Sequence, residues 1–166
     1  MSRHRITLSI NGKQSQVWVE ANDMLLEVLH DELGFSDVRY GCGEGVCGTC
    51  TVLLDGEPTS GCLVLAVQAE GHEITTLAGL MGEDGSLHPL QACMLKRGGS
   101  QCGFCTPGMI LTSESLVQHC PRPTREEIRY QLVGNLCRCT GYTKIIDAVE
   151  EYSTELALSQ EAGAEK

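Results

Sequence analysis

Residues 42–50 read Cys42-Gly-Glu-Gly-Val-Cys47-Gly-Thr-Cys50, which is the C-x₄-C-x₂-C spacing of a plant-type [2Fe–2S] loop. A compact loop that brings three thiolates around a cluster has to turn repeatedly. Glycine permits such turns because it adopts positive φ at little steric cost, and it leaves amide N–H groups free to point at sulfur. The spacing therefore predicts that Cys42, Cys47 and Cys50 bind one cluster. The expected fourth ligand is Cys62.

The segments on either side of this loop predict a small mixed sheet packed on one helix. Apolar and polar side chains alternate before the loop, as they do in half-buried strands. The predicted elements are a hairpin at 6–19 turning at Asn11-Gly12, a helix from Asn22 or Asp23 to Gly34, and strands at 51–54 and 72–75. Hairpin, helix and further strands in this order predict a β-grasp, the fold of plant-type ferredoxins.

Beyond residue 80 the pattern changes from strands to helices. A polar stretch at 81–86 is expected to link two domains. Helix boundaries are predicted at Pro89 and Gly98-Gly99, at Pro107 and Pro121-Arg122-Pro123, at the capping-box pair Thr124 and Glu127, and after Gly141. We therefore expect an α+β protein with a β-grasp domain at 1–80, an all-α domain at 87–155 and a frayed polar tail at 156–166.

A second group of cysteines lies in the helical half. Cys102 and Cys105 form a C-x₂-C pair, and Cys137 and Cys139 form a C-x-C pair further along the chain. A helix is predicted to start after each pair, so two positive helix ends would meet four thiolates. The candidate caps of these helices are Thr106 and Thr140. Spacing alone leaves both a second cluster and a structural zinc open.

Two longer strings show which family the chain resembles. Residues 101–109 read Gln-Cys-Gly-Phe-Cys-Thr-Pro-Gly-Met, and residues 134–142 read Gly-Asn-Leu-Cys-Arg-Cys-Thr-Gly-Tyr. With the first loop, they resemble the small iron–sulfur subunit of the molybdenum hydroxylase (xanthine oxidase) family over roughly residues 5–152. The resemblance includes all eight proposed ligands in order. It implies a four-helix bundle in the second domain and a second [2Fe–2S] cluster in place of zinc.

The same resemblance implies partners. A large subunit would carry molybdenum–molybdopterin in a dinucleotide form, and a medium subunit would carry FAD, in a heterotrimer or its dimer. Substrate chemistry would take place in the large subunit, so this chain would be the electron-transfer part of an oxidoreductase. Gln101 and Cys139 would lie near the molybdopterin. Electrons would pass to the helical-domain cluster, then to the N-terminal cluster, then to FAD.

Composition narrows the remaining function classes. A net charge of −10 argues against nucleic acid as a partner. No stretch approaches the roughly 20 apolar residues of a membrane span, and the expected setting is the reducing cytoplasm, where cysteines favour metal over disulfides. Cys93 and Cys120 fall outside both sets and are expected to be buried apolar thiols. A free-standing two-cluster ferredoxin and a zinc-stabilised interaction module are the alternatives.

Overall fold

The computed structural model describes residues 3–164, and its N-terminal half contains one five-stranded mixed sheet. The strands are β1 (His4–Ile10), β2 (Lys13–Val19), β3 (Thr51–Leu54), β4 (Glu57–Ser60) and β5 (Glu73–Thr75). Their order across the sheet is β2-β1-β5-β3-β4. The pair β1 and β5 is parallel, and the other neighbours are antiparallel.

Alternation in the sequence explains the first hairpin. Ile6, Leu8 and Ile10 of β1 are buried, whereas the side chains between them are partly exposed. The register pairs Ile6 with Val17, and the turn falls at Asn11-Gly12 as predicted. Because successive side chains in a strand point to opposite faces, this register places the apolar residues of both strands on one face, in the first hydrophobic cluster.

The helix on that face is shorter than the sequence predicts. Helix α1 covers Leu25–Glu27, and the chain continues in a wider helical turn through Val28–Glu32. The cap is Met24, whose N–H donates to the Glu27 carboxylate, so the expected cap at Asn22 or Asp23 is not seen. Four apolar side chains of the segment are buried in the first cluster: Leu25, Leu26, Val28 and Leu29. All four belong to the same buried cluster as the strands, and this burial outweighs the local capping signal.

The C-terminal half is a bundle of four helices. They are α2 (Pro89–Lys96), α3 (Thr106–His119), α4 (Arg125–Gln131) and α5 (Thr143–Ala164). The predicted capping box starts α4: Thr124 N–H donates to Glu127 Oε2 at 2.7 Å, and Glu127 N–H donates to Thr124 Oγ1 at 3.3 Å. The expected α+β class, a β-grasp followed by an all-α bundle, is confirmed.

Each half has its own buried apolar cluster. The expected domain limits of 1–80 and 87–155 stay a prediction. Helix α5 continues to Ala164, through most of the segment expected to be a tail. Ala157 is buried and Leu156 packs on the second cluster, so apolar contacts extend the helix. Within residues 3–164, no helix combines the length and apolar character needed to cross a membrane.

Helix α3 joins the two halves. It lies against β3 and β4, the strands that follow the first cysteine loop. The same helix begins immediately after Cys105 of the second set. The elements that carry the two cysteine sets are therefore packed directly on each other.

Candidate iron–sulfur centres

The first four cysteines come together where β3 and β4 return to the loop at 42–50. Cys50 directly precedes β3, and Cys62 follows β4 in the helical turn Gly61–Leu63. The hairpin register brings these ends together, and Gly61 N–H donates to the Cys50 carbonyl at 3.2 Å. After burial, the side chains of Cys62 and Cys47 help to raise the pKa of Cys50, so both lie close to it. Cys47 Sγ lies 3.3 Å from the Cys42 N–H nitrogen, so all four predicted residues form one group.

Backbone amides point at the outermost sulfur of this group. The N–H groups of Glu44 and Val46 each donate to Cys42 Sγ at 3.3 Å. Gly43 and Gly45 adopt φ of +71° and +74°, which turns these amides towards sulfur. The Glu44 amide, with those of Cys47 and Val46, lowers the pKa of Cys42 to about 6. The loop thus favours a thiolate, the form that binds iron.

The first group runs from the surface into the core. Cys42 is exposed, Cys47 is half-buried, and Cys50 and Cys62 are buried. Burial raises the pKa of Cys50 to about 11, because a thiolate there loses water before iron compensates for it. A cluster held by this group would be shielded on the Cys50 side and would approach the surface at Cys42.

The second four cysteines also form one group. The sulfur atoms of Cys102 and Cys139 are 3.5 Å apart, and the thiol of Cys105 contacts that of Cys137. Burial, followed by the neighbouring Cys137, raises the pKa of Cys105 to about 12. Cys102 and Cys139 are exposed, whereas the other pair is half-buried. This group therefore has one pair of sulfurs at the surface and one pair inside.

Local hydrogen bonds hold the second group in place. At the starts of α3 and α5, these hydrogen bonds differ from the helix caps predicted at Thr106 and Thr140. Cys105, not Thr106, caps α3, and the Thr106 hydroxyl lies 3.1 Å from that of Ser100. Thr140 Oγ1 accepts the N–H of Tyr142 at 3.2 Å just before α5 and lies 3.0 Å from Cys137 Sγ. Its hydroxyl helps to lower the pKa of Cys137 against the effect of burial.

Sequence reasoning missed the role of Tyr142 in this loop. Its hydroxyl accepts the Cys137 N–H at 2.9 Å and donates to the Asn135 carbonyl at 3.1 Å. One side chain thus closes the segment that leads into the C-x-C pair. Tyr142 is the last residue of the motif at 134–142, and its place in that motif is the feature of the sequence that could have indicated this role.

The two cysteine loops also contact each other directly. Leu136 N–H donates to the Cys47 carbonyl at 2.9 Å. On another side, the Arg39 guanidinium donates to the Gly103 carbonyl, between Cys102 and Cys105, and lies 5.7 Å from the Phe104 ring centroid. Each loop is therefore held by a residue next to the other loop.

The predicted partner-facing residues are accessible. Gln101 and Cys139 are both exposed, and Gln101 precedes Cys102, whose sulfur is beside that of Cys139. Of the two remaining cysteines, Cys93 is buried, in agreement with the prediction, and Cys120 is half-buried at the end of α3. Burial raises the pKa of Cys93.

The donor set of each group fits a [2Fe–2S] cluster. Four thiols with amide donors around them are the ligands that such clusters use. Within residues 3–164, no three His, Cys, Asp or Glu side chains are arranged to hold a single metal ion. A [2Fe–2S] core divides its four ligands between two irons, so the groups need not meet the geometry of one ion.

Comparison with known proteins agrees with this geometry. The family model described as "2Fe-2S iron-sulfur cluster binding domain" matches residues 8–96, and the one described as "[2Fe-2S] binding domain" matches residues 76–150. The chain is thus a protein with two [2Fe–2S]-binding modules, and it functions in electron transfer.

Individual relatives define the family more narrowly. The chain is 47% identical to the nicotinate dehydrogenase small FeS subunit of Eubacterium barkeri, over 93% of this chain and 98% of that protein. It is 45% identical to the caffeine dehydrogenase subunit gamma of Pseudomonas sp. (strain CBB1), over 97% and 99%. It matches a chain of quinoline 2-oxidoreductase from Pseudomonas putida 86 with TM-score 0.89 and 45% identity, over 95% and 97%. The chain belongs to the small iron–sulfur subunits of the molybdenum hydroxylase family.

Proposed function

We propose that this subunit relays electrons between a molybdenum–molybdopterin centre and FAD, each on a partner subunit. The observation that carries the proposal is the pair of four-cysteine groups whose loops contact each other through Leu136 and Cys47. The first [2Fe–2S] cluster is held by Cys42, Cys47, Cys50 and Cys62, and the second by Cys102, Cys105, Cys137 and Cys139. When bound, each cluster accepts and returns one electron.

The exposed edges of the two groups support the order of transfer. The second group reaches the surface at Cys102 and Cys139, next to Gln101. We assign this edge to the molybdopterin subunit. The first group reaches the surface at Cys42, beside Val46, which is 60% exposed. Leu63 lies against Gly45 of the same loop and is 62% exposed, so two neighbouring apolar side chains are exposed at this redox edge and favour a protein partner there. We assign this edge to the FAD subunit.

The chain's own residues suit it to this relay. Amide N–H groups at Cys42 offset the negative charge that grows when an electron arrives, without any proton being needed. Burial of Cys50 and Cys62 excludes water from the inner side of the first group. The complex is proposed to be a heterotrimer or its dimer in the cytoplasm.

Iron analysis and EPR of the purified complex test the ligand assignment. We expect about four irons per copy of this chain and two distinct signals on full reduction, because the two cysteine groups have dissimilar surroundings. About two irons per chain, a single signal, or stoichiometric zinc would contradict it. Recovery of this chain free of large and FAD subunits under mild purification would favour the ferredoxin alternative.

Gln101 provides a test of the molybdopterin-facing edge. In Gln101→Ala we expect slower reduction of the second cluster by substrate, since the amide can both donate and accept hydrogen bonds at that edge. Gln160→Ala is the matched control, because Gln160 is exposed on α5 about 25 Å along the axis from its start. A wild-type reduction rate in Gln101→Ala, with cluster and molybdenum content unchanged, would remove Gln101 from that interface.

A further inference from the structure

We infer that Asn135 is a positioning residue for electron transfer between the two clusters. It makes no contact with a partner subunit in this proposal and is not a ligand. Its side chain holds the first cysteine loop against the segment that leads into Cys137. This role rests on the proposed relay: Asn135 holds the two cysteine loops in the arrangement in which an electron passes from one cluster to the other.

The Asn135 side chain is buried at the junction of the two halves and is 4% exposed. Its Nδ2 donates to the Gly48 carbonyl of the first loop at 3.0 Å and lies 3.3 Å from Thr51 Oγ1 at the start of β3. Its Oδ1 accepts the hydroxyl of Thr112, from the middle of α3, at 3.0 Å. One amide therefore ties together the first loop, the sheet and the bundle.

The backbone next to Asn135 links the two sets of ligands through one hydrogen bond. Leu136 N–H donates to the carbonyl of Cys47, and Leu136 is followed directly by Cys137. Covalent bonds and this single hydrogen bond thus join a ligand of the first group to a ligand of the second. Asn135 and Leu136 are adjacent, and so are the residues that they bind in the first loop. The Asn135 side chain binds the Gly48 carbonyl, and the Leu136 amide binds the Cys47 carbonyl.

Two glycines leave space for the amide. A Cβ at Gly48 would lie 2.5 Å from Asn135 Nδ2, and a Cβ at Gly108 would lie 3.1 Å from the same nitrogen. Gly48 also has φ of +64°, which other residues rarely adopt. The surroundings are therefore shaped around a side chain at 135 that donates on one side and accepts on the other.

The step that Asn135 supports moves one electron. As it passes from the second cluster to the first, one iron of the second is oxidised and one iron of the first is reduced, and no bond or proton is exchanged. Its rate depends on the separation of the clusters and on the continuity of the link between them. Without the amide, the Thr112 hydroxyl loses its buried acceptor. The Gly48 carbonyl keeps the Thr51 hydroxyl and amide as donors but loses its donor from the segment before Cys137, so the loops have less to hold them together.

The test uses Asn135→Ala and Asn135→Asp in the assembled complex. The aspartate keeps an oxygen for Thr112, but its ionised form cannot donate to the Gly48 carbonyl and places a negative charge against it, so this variant is directed at the contact with the first loop. Thr124→Ala is the matched control, because it removes a helix cap at α4 and lowers stability without touching either cysteine loop. Iron content is measured for every variant.

The first readout is the EPR spectrum of the fully reduced complex at low temperature. We expect the splitting from spin–spin interaction between the clusters to decrease in both Asn135 variants and to stay unchanged in Thr124→Ala. The second readout is amide hydrogen exchange of the segment containing Leu136. We expect the exchange rate of this segment to increase at least about tenfold over wild type in both Asn135 variants, because buried hydrogen bonds are lost.

The outcomes separate this inference from the proposed function. Wild-type protein with two irons per chain would overturn the relay itself, whereas wild-type protein with four irons and no splitting would overturn the inference that this junction couples the clusters. Wild-type splitting together with unchanged splitting and exchange in both Asn135 variants would overturn the role of Asn135 alone. A loss of splitting in Thr124→Ala of the same size would show a general effect of stability and would also overturn it.

Discussion

At the scale of single residues, the backbone amides around Cys42 illustrate how the loop prepares a ligand. They lower the pKa of an exposed thiol by direct hydrogen bonds, led by the Glu44 N–H. Cys50 has the opposite condition, since burial raises its pKa. A thiolate at Cys50 becomes favourable only when iron replaces the lost water, so cluster binding and burial of this side are coupled.

Replacing Cys42 by serine should remove one cluster. We expect Cys42→Ser to reduce the iron content of the complex from about four to about two per chain, with the EPR signal of the second cluster retained. Cys93→Ala is the control, because Cys93 is buried outside both groups and should keep all of its iron. Full iron content in Cys42→Ser, with both EPR signals unshifted from those of the wild type, would show that Cys42 is not a ligand.

At the scale of elements, the β3–β4 hairpin and the starts of the helices place the cysteines. The hairpin register returns Gly61 to Cys50 and so brings Cys62 to the first loop. Helix α3 starts directly after its cap Cys105, so its positive end faces the second group. Helix α4 of the bundle begins with a capping box in which both hydrogen bonds are present.

Removing the cap of α4 should lower stability. Thr124→Ala leaves the Glu127 N–H without its acceptor, which costs about 1 kcal/mol. The thermal midpoint of the complex, at a fixed scan rate, should fall by about 2–4 °C. Thr154→Ala on the exposed face of α5 is the control and should change the midpoint little. Equal midpoints for wild type and Thr124→Ala would contradict the importance of the cap.

The same capping box predicts a pH dependence. The Thr124 N–H holds the pKa of Glu127 below its usual value. The Glu127 carboxylate therefore contributes its full stabilisation above the unfolded pKa of about 4.3 and loses it as the pH falls through the lower folded pKa. The difference in thermal midpoint between wild type and Glu127→Ala should be equal at pH 7 and pH 5 and shrink in stronger acid. A difference that shrinks between pH 7 and pH 5 would contradict this.

At the scale of the whole molecule, the two halves meet through closely packed backbone. A Cβ added at Gly108 of α3 would lie 2.2 Å from the carbonyl oxygen of Gly48. A backbone atom cannot move aside as the end of a side chain can. Glycine at 108 therefore permits the helix after the second cysteine pair to lie directly on the first cysteine loop.

Alanine at this contact should weaken the packing of the two halves and lower stability. We expect Gly108→Ala to destabilise the complex by about 1–3 kcal/mol through overpacking, despite the better helix propensity of alanine. The midpoint of thermal unfolding measures this. Gly134→Ala is the matched control, because a Cβ there meets nothing within 4 Å and the residue does not have positive φ. Similar midpoints for the two variants would contradict the packing argument.

The sequence by itself determined the features that depend only on residues close to one another along the chain. The Asn11-Gly12 turn and the Thr124 capping box are local, and both appear in the structure where they were predicted. The three-cysteine loop at 42–50 and the C-x₂-C and C-x-C pairs are equally local, and as ligand sets they stay a prediction. Such features depend on neighbouring atoms of the same segment. The hairpin, the strands β3 and β5 and the helices of the second half also followed from local periodicity, and with them the fold class, whereas β4 was not predicted.

Only the tertiary structure decided which distant residues meet. Asn135 reaches Gly48, Arg39 reaches Gly103, and Gly108 leaves room for the first loop. No period or spacing marks these partners, because their contact depends on how the sheet and the bundle pack. The same packing replaced the expected cap of α1 and extended α5 beyond its polar sequence, since burial of apolar side chains outweighed local propensity there.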